Sequence, residues 1–166
     1  MSATTTNLTK SQLLLLELVE KLGGEVDDKI KLAKLQYFSD FIHQAFNDVP
    51  ISDSDNFYQR REYGPLLRTF NDDLKVLCDT GLLKQKGAYH YQVGKTIQNK
   101  GFSPKEEKTM DFVVSRYGRS SWKELCRISH SQIPFLSASG DGAVIEYFTA
   151  YNLVDEYPEY ADFATS

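Results

Sequence analysis

The sequence predicts a mostly helical α+β fold in a single domain. Apolar residues recur at helical spacing through most of the chain, glycine and proline interrupt this spacing repeatedly, and one helix is followed by two short segments with period-two alternation. A length of 166 residues fits one domain, and 41% apolar with 25% charged residues is typical of a globular protein. We expect the domain to cover residues 9–156, between a flexible N-terminal tail at 1–8 and a C-terminal tail at 157–166 that docks or frays.

Two helices are predicted in the first third of the chain. Thr9 followed by Gln12 has the spacing of a capping box, and the apolar run that follows ends at Gly23-Gly24. The second helix begins after Asp27-Asp28, because negative charge is favourable at a helix N-terminus. Its apolar positions recur at helical spacing and are Ile30, Leu35, Phe38, Ile42, Ala45 and Phe46. Both helices are therefore expected in the core.

The stretch from Phe57 to Val93 predicts a winged-helix-like unit at about 57–94. Its expected parts are, in order, a strand or extended segment at 57–63, the turn Tyr63-Gly64-Pro65, a helix from Pro65 to Cys78, and a hairpin of strands at 82–86 and 89–93. Proline suits the first turn of a helix because its missing N–H would have no partner there. A helix followed by a two-stranded hairpin is the element order of a winged helix.

Three further helices are predicted in the second half. Ser103 and Ser121 each precede a glutamate by three residues, which is the capping-box spacing, and Pro104 suits a first helical position. A last helix is expected from Ala143 to about Leu153, after a polar, glycine-containing loop. Its expected core-facing residues are Ile145, Phe148 and Tyr151.

The sequence contains no pattern that predicts an enzyme, a metal site or a bound cofactor. His43, His90 and His130 are its only imidazoles, and no G-x-S-x-G segment presents a nucleophilic serine. Neither C-x-x-C nor H-E-x-x-H is present to bind zinc. Gly140-Asp141-Gly142 lacks the lysine that a phosphate-binding loop requires. We therefore expect a non-enzymatic protein that binds neither metal nor cofactor.

The N-terminal part of the sequence predicts a cytoplasmic protein without membrane contact. The longest apolar run, Leu13–Leu16, is too short to cross a bilayer. Residues 1–7 contain neither the basic region nor the apolar core of a signal peptide.

Residues 57–93 form the only positively charged part of the chain. This stretch carries six basic and four acidic residues, a charge of +2, against −4 for residues 1–56 and −2 for residues 94–166. The candidate contacts to DNA or to a protein partner are Arg60, Arg61, Arg68, Asn71, Lys75, Lys84 and Lys86. Asp72 and Asp73 are expected on or beside the same exposed face, where they would repel phosphates. The residue chemistry leaves both duplex DNA and protein as partners.

Three segments carry a resemblance to a known family. They are Leu32-Ala33-Lys34-Leu35-Gln36-Tyr37-Phe38, then Tyr63-Gly64-Pro65, then Ser121-Trp122-Lys123-Glu124-Leu125 through Ser129-His130 to Pro134. In the same order, they resemble the L-x-K-L-L-Y-F helix, the Y-G-P turn and the S-A-x-E-L-S-x-x-T-H-x-x-x-P-W segment of the Panacea domain family, also described as SocA-like antitoxin domains. Gln36 replaces an apolar residue of that pattern, and Phe135 replaces its tryptophan. The resemblance covers roughly residues 10–155, and the middle section is also similar to prokaryotic winged-helix proteins.

The resemblance implies a small cytoplasmic, prokaryotic or phage-associated protein that neutralises a partner toxin by direct binding or presents it as an adaptor. The motif residues would then form the scaffold: Leu35, Tyr37, Tyr63, Gly64, Pro65, Trp122, Leu125, His130 and Pro134. His130 lies near a helix C-terminus and is expected to fix the turn towards Pro134, with a direct role in binding as the alternative. The alternative function for the whole chain is a winged-helix DNA-binding transcription regulator.

Overall fold

The computed structural model describes residues 8–166. It is mostly helical with two small sheets, which confirms the mostly helical α+β class, and the winged-helix-like unit stays a prediction. The helices are α1 (Lys10–Lys21), α2 (Lys29–Asn47), α3 (Phe70–Asp79), α4 (Pro104–Tyr117), α5 (Trp122–His130), α6 (Ile133–Ser137), a 3₁₀ helix (Tyr147–Leu153) and α7 (Tyr160–Thr165). The strands are β1 (Glu25–Val26), β2 (Tyr58–Arg61), β3 (Gly64–Leu67), β4 (Leu83–Gln85), β5 (Tyr91–Val93) and β6 (Val144–Ile145). Except for Leu8, the expected N-terminal tail lies outside the described residues.

Helix α2 is the central element of the core. Every residue from Leu32 to Ala45 is buried, because α1, α4, α5, β3 and the 3₁₀ helix surround it. The Asp28 side chain caps its start by accepting a hydrogen bond from the Ile30 N–H at 2.7 Å. Polar side chains on a helix that is buried on all sides need hydrogen-bond partners inside the protein, and on α2 Gln36 Oε1 and His43 Nε2 have none within residues 8–166.

The predicted caps of α1 and α4 are present. Thr9 and Gln12 form a reciprocal capping box at the start of α1, and Ser103 and Glu106 form another at α4. The chain leaves α1 through Gly23-Gly24, both in the left-handed region.

The predicted helix from Pro65 to Cys78 begins too early, because residues 64–67 form a strand. Gly64–Leu67 pairs antiparallel with β2 across a two-residue turn, and α3 begins only at Phe70. Pro65 is accommodated because β3 is an edge strand, where a missing N–H removes no ladder hydrogen bond. Arg68 therefore precedes α3 and does not lie on its exposed face.

The two sheets are antiparallel and have three strands each, in the orders β1-β5-β4 and β3-β2-β6. The expected hairpin at 82–93 is present as β4 and β5. The two-residue strands β1 and β6 were not predicted, since they are too short to show alternation.

The prediction of a last helix at residues 143–153 is wrong. These residues form β6 and the 3₁₀ helix, and Phe148 is 69% exposed where the pattern placed it in the core. Tyr151 is also exposed, whereas Ile145 is buried as expected. Beyond this region, Tyr157 and Tyr160 are buried and α7 packs against α4. Within residues 8–166, no helix combines the length and the apolar character that crossing a membrane requires.

Candidate functional site

The three family-like segments meet around Lys34 on α2. Lys34 is 2% exposed, and its Nζ donates a hydrogen bond to the Pro65 carbonyl at 2.7 Å. Gly64 lies directly against it, because a Cβ at this position would be 3.0 Å from Lys34 Cε and 2.8 Å from Ser129 Oγ. Gly64 also has φ +116°, which disfavours any other residue. The first segment supplies the lysine, the second the turn, and the third the serine on α5.

The charge of Lys34 has no carboxylate partner within residues 8–166, since it forms no ion pair there. Burial lowers the pKa of Lys34 to about 8, and the nearby Cys126 acts in the opposite direction. Desolvation has the larger effect on this pKa, because a charged ammonium group loses its water shell in the protein interior. Lys34 thus remains mostly protonated at pH 7, as a buried cation without a counter-charge.

A cavity of about 560 Å³ opens beside Lys34. It lies between α2, the β2–β3 turn, the start of α3, the β4–β5 turn and the loop before β6. Its apolar and aromatic wall includes Ile30, Tyr63, Phe70 and Tyr89. The charged residues that line it are Lys29, Lys34, Arg61, Glu62 and Asp141. This is a concave, mostly apolar site with a few polar groups, as ligand sites usually are.

Several predicted scaffold residues lie inside the core. Leu35, Tyr37 and Leu125 are fully buried, and Pro134 is buried as well. The Tyr37 hydroxyl donates to Gln132 Oε1 at 2.7 Å. Gln132 Nε2 in turn donates to the Tyr157 hydroxyl at 2.8 Å, and this hydroxyl is 2.6 Å from that of Tyr117. This buried chain of hydrogen bonds ties α2 to the segment before α6, to the C-terminal segment and to α4.

The remaining scaffold residues surround the β2–β3 turn. Tyr63 and Trp122 pack edge to face, with ring centroids 6.0 Å apart. His130 Nε2 lies 3.1 Å from the Glu62 carbonyl, and its ring packs against Phe135. Through these contacts α5 supports the turn that carries Gly64.

The seven candidate contact residues do not form one basic surface. Arg60 Nη1 donates to the carbonyls of Phe135 and Ala138, and its guanidinium lies 4.2 Å from the centre of the Phe135 ring. Arg61 and Asn71 line the cavity. Arg68 lies over the Phe57 ring, and Lys75 pairs with Asp79 at 2.9 Å. Lys84 and Lys86 are exposed, on β4 and just after it. The structure therefore brings only Arg61 and Asn71 to the cavity.

Asp73 lies inside the protein, which corrects the expectation that it faces solvent beside Asp72. Its carboxylate accepts hydrogen bonds from Ser11 Oγ at 2.9 Å, Gln12 Nε2 at 3.1 Å and Thr69 Oγ1 at 2.8 Å. Burial raises the pKa of Asp73. Asp73 joins α3 to α1, and of the two aspartates only Asp72 is exposed.

Sequence reasoning missed Lys34 and Asp40 as buried charged residues. Asp40 is fully buried and accepts hydrogen bonds from the Ser52 N–H and hydroxyl, each at 2.7 Å, and from the Tyr58 hydroxyl at 2.5 Å. Burial raises the pKa of Asp40 to about 6. The signal was present in the sequence, because α2 carries apolar residues on every side, and a charged residue within it must also be buried.

The family-model comparison matches residues 32–134 to the antitoxin SocA-like, Panacea domain, which is more than half of the chain. The chain belongs to the SocA-like, Panacea domain family. No curated protein and no solved structure matches it. All three motif segments that surround Lys34 lie within the matched part of the Panacea domain. Within residues 8–166, no group of three or more histidine, cysteine, aspartate or glutamate side chains is placed to hold a metal ion.

Proposed function

We propose that this Panacea protein is a non-enzymatic interaction module that binds a cognate toxin directly and neutralises or presents it. Family membership supports an antitoxin-like role. The observation that carries direct binding is an exposed apolar surface near the end of the chain. We call it the C-terminal apolar surface, and its residues are Ile133, Leu136, Val144, Phe148, Tyr151 and Val154.

The C-terminal apolar surface spans elements that contact one another. Helix α6 packs against both β6 and the 3₁₀ helix, and five of the six exposed residues lie on these three elements. Phe148 is 69% exposed and Leu136 55%, although these side chains are among the most costly to leave in water. Exposed apolar residues grouped in this way are typical of protein interaction sites.

The charge around this surface indicates a basic partner. Residues 137–166 contain no lysine or arginine, and their acidic residues are Asp141, Glu146, Asp155, Glu156, Glu159 and Asp162. Glu146 immediately precedes the 3₁₀ helix, and Asp155 follows it closely. Asp141 pairs with Arg61 and Glu159 with Arg116, whereas Glu146 and Asp155 form no ion pair within residues 8–166. An apolar surface with these two free carboxylates beside it favours a toxin surface that is apolar at its centre and basic at its edge.

Co-expression with the product of the adjacent reading frame tests this proposal. We expect that product to be toxic alone, to be neutralised by the Panacea protein and to co-purify with it. Leu136→Ser and Phe148→Ser should abolish both effects, whereas Val76→Ser, at a half-buried valine on helix α3 outside this surface, should preserve them. A neighbouring product that is harmless alone and does not co-purify would overturn the proposal.

The DNA-binding alternative uses a different part of the molecule. Helix α3 and the hairpin β4–β5 follow one another in the order of a winged helix, but no contact within residues 8–166 favours binding to DNA. That function would require a salt-dependent affinity for duplex DNA that falls on charge reversal of Arg68, Lys75, Lys84 and Lys86. Absence of a mobility shift at low salt on the protein's own promoter would remove this alternative.

A further inference from the structure

We propose that the cavity beside Lys34 binds a carboxylate group carried by an aromatic or apolar ligand. This site is separate from the C-terminal apolar surface, and its existence does not depend on toxin binding there. Three properties lead to it: an uncompensated buried cation, the balance of charges around the cavity, and its aromatic wall.

The cation is built into the cavity wall. An ammonium group has three hydrogens to donate, and Lys34 Nζ donates to only one acceptor, the Pro65 carbonyl, within the described residues. No carboxylate there pairs with it. A buried charge without a counter-ion is unfavourable, so an anion that enters the cavity gains both hydrogen bonds and attraction in a medium of low dielectric constant.

The balance of charges selects a single negative charge. Lys29, Lys34 and Arg61 contribute three positive charges to the lining, and Glu62 and Asp141 contribute two negative ones, which leaves +1. Arg61 and Asp141 already lie 3.5 Å apart and partly neutralise each other. A carboxylate matches the remaining charge, whereas a doubly charged phosphate would also meet two carboxylates.

The rest of the cavity fits the apolar or aromatic part of such a ligand. Tyr63 and Tyr89 present aromatic side chains beside Phe70 and Ile30, and the volume of about 560 Å³ is within the usual range for ligand sites. The lowered pKa of Lys34 shows that keeping this ammonium buried is unfavourable for the free protein. A methionine would fill the same space without that cost, which is consistent with selection of lysine for a ligand.

Titration of the full-length protein with N-acetyl-L-tyrosine, followed by amide chemical shifts, tests the site. We expect shifts at Gly64 and Asn71, and about tenfold or more weaker binding of the neutral N-acetyl-L-tyrosinamide, because a charge-assisted hydrogen bond is lost. Lys34→Met should bind the acid no better than wild type binds the amide. Lys31→Met, the same change on the same helix but outside the cavity, should bind like wild type.

Equal binding of the acid and the amide by wild-type protein would overturn the proposal, and this comparison needs no variant to fold. Tighter binding of inorganic phosphate than of the acid, or equal losses in Lys34→Met and Lys31→Met, would also overturn it. If the acid binds, adding it to the complex with the toxin identifies the source of the natural carboxylate. If the acid displaces the toxin, the carboxylate belongs to the partner protein. If the complex stays intact, the natural ligand is a free acid.

Discussion

At the scale of single residues, three buried charged side chains within residues 8–166 form no ion pair: Lys34, Asp40 and Asp73. Lys34 and Asp40 both lie on α2, less than two helical turns apart, and both are almost completely buried. Asp40 is satisfied by three hydrogen bonds, whereas Lys34 has one. Lys34 is therefore the residue whose burial is hardest to explain by stability alone.

Lys34 should reduce stability at neutral pH and do so less at alkaline pH. Its pKa in the folded protein is about 8, below the unfolded value of 10.5, so the unfolded state binds more protons between these values and stability rises with pH there. The difference between the two pKa values corresponds to a destabilisation of about 3 kcal/mol at pH 7. Replacing Lys34 removes this destabilisation but also removes the hydrogen bond to Pro65, which stabilises the fold by about 1 kcal/mol or more. We expect Lys34→Met to raise the free energy of unfolding by about 1–2 kcal/mol at pH 7.

Urea unfolding at pH 7 and at pH 10 measures this effect. The advantage of Lys34→Met over wild type should shrink at pH 10, and Lys31→Met serves as the control for removing a lysine from α2. An unchanged difference between Lys34→Met and wild type at the two pH values would contradict the account.

At the scale of elements, the sequence predicted the parts whose signals are local. The capping boxes at Thr9 and Ser103 and the left-handed glycines after α1 depend only on neighbouring residues, and these predictions are confirmed. Pro65 is compatible with two local structures, the first turn of a helix or an edge strand. Pairing with β2, which the local sequence does not show, makes it an edge strand. Phe148 shows helical spacing but lies in a 3₁₀ helix, whose different period turns it to solvent.

Gly64 should be essential to the β2–β3 turn for two reasons that can be separated. An added Cβ meets strain from φ +116° and a clash with Ser129 Oγ and Lys34 Cε, whereas Gly24 has φ +101° and no atom within 4 Å. Gly64→Ala should therefore cost about 1–3 kcal/mol more than Gly24→Ala, which is the usual range for overpacking. Chemical denaturation of both variants gives the comparison, and equal losses would show that the close approach at Gly64 is unimportant.

At the scale of the whole molecule, helices from distant parts of the sequence create the candidate sites. The family was predicted from three short segments and the mostly helical fold from the spacing of apolar residues, and both predictions are confirmed. Their meeting around Lys34 was not predicted, because it depends on how α2, the β2–β3 turn and α5 pack. The C-terminal apolar surface was missed for a related reason, since the pattern at 143–153 placed Phe148 and Tyr151 in the core.

Direct binding of the toxin is the central claim, and calorimetric titration of the purified Panacea protein with the purified product of the adjacent reading frame tests it most directly. We expect a saturable complex that weakens as salt increases, because the two free carboxylates beside the surface attract a basic partner. Phe148→Ser should weaken it about tenfold or more, since burying a large apolar side chain contributes about 1.5–3 kcal/mol. A toxin that shows no binding, or binds Phe148→Ser as tightly as wild type, would contradict the account.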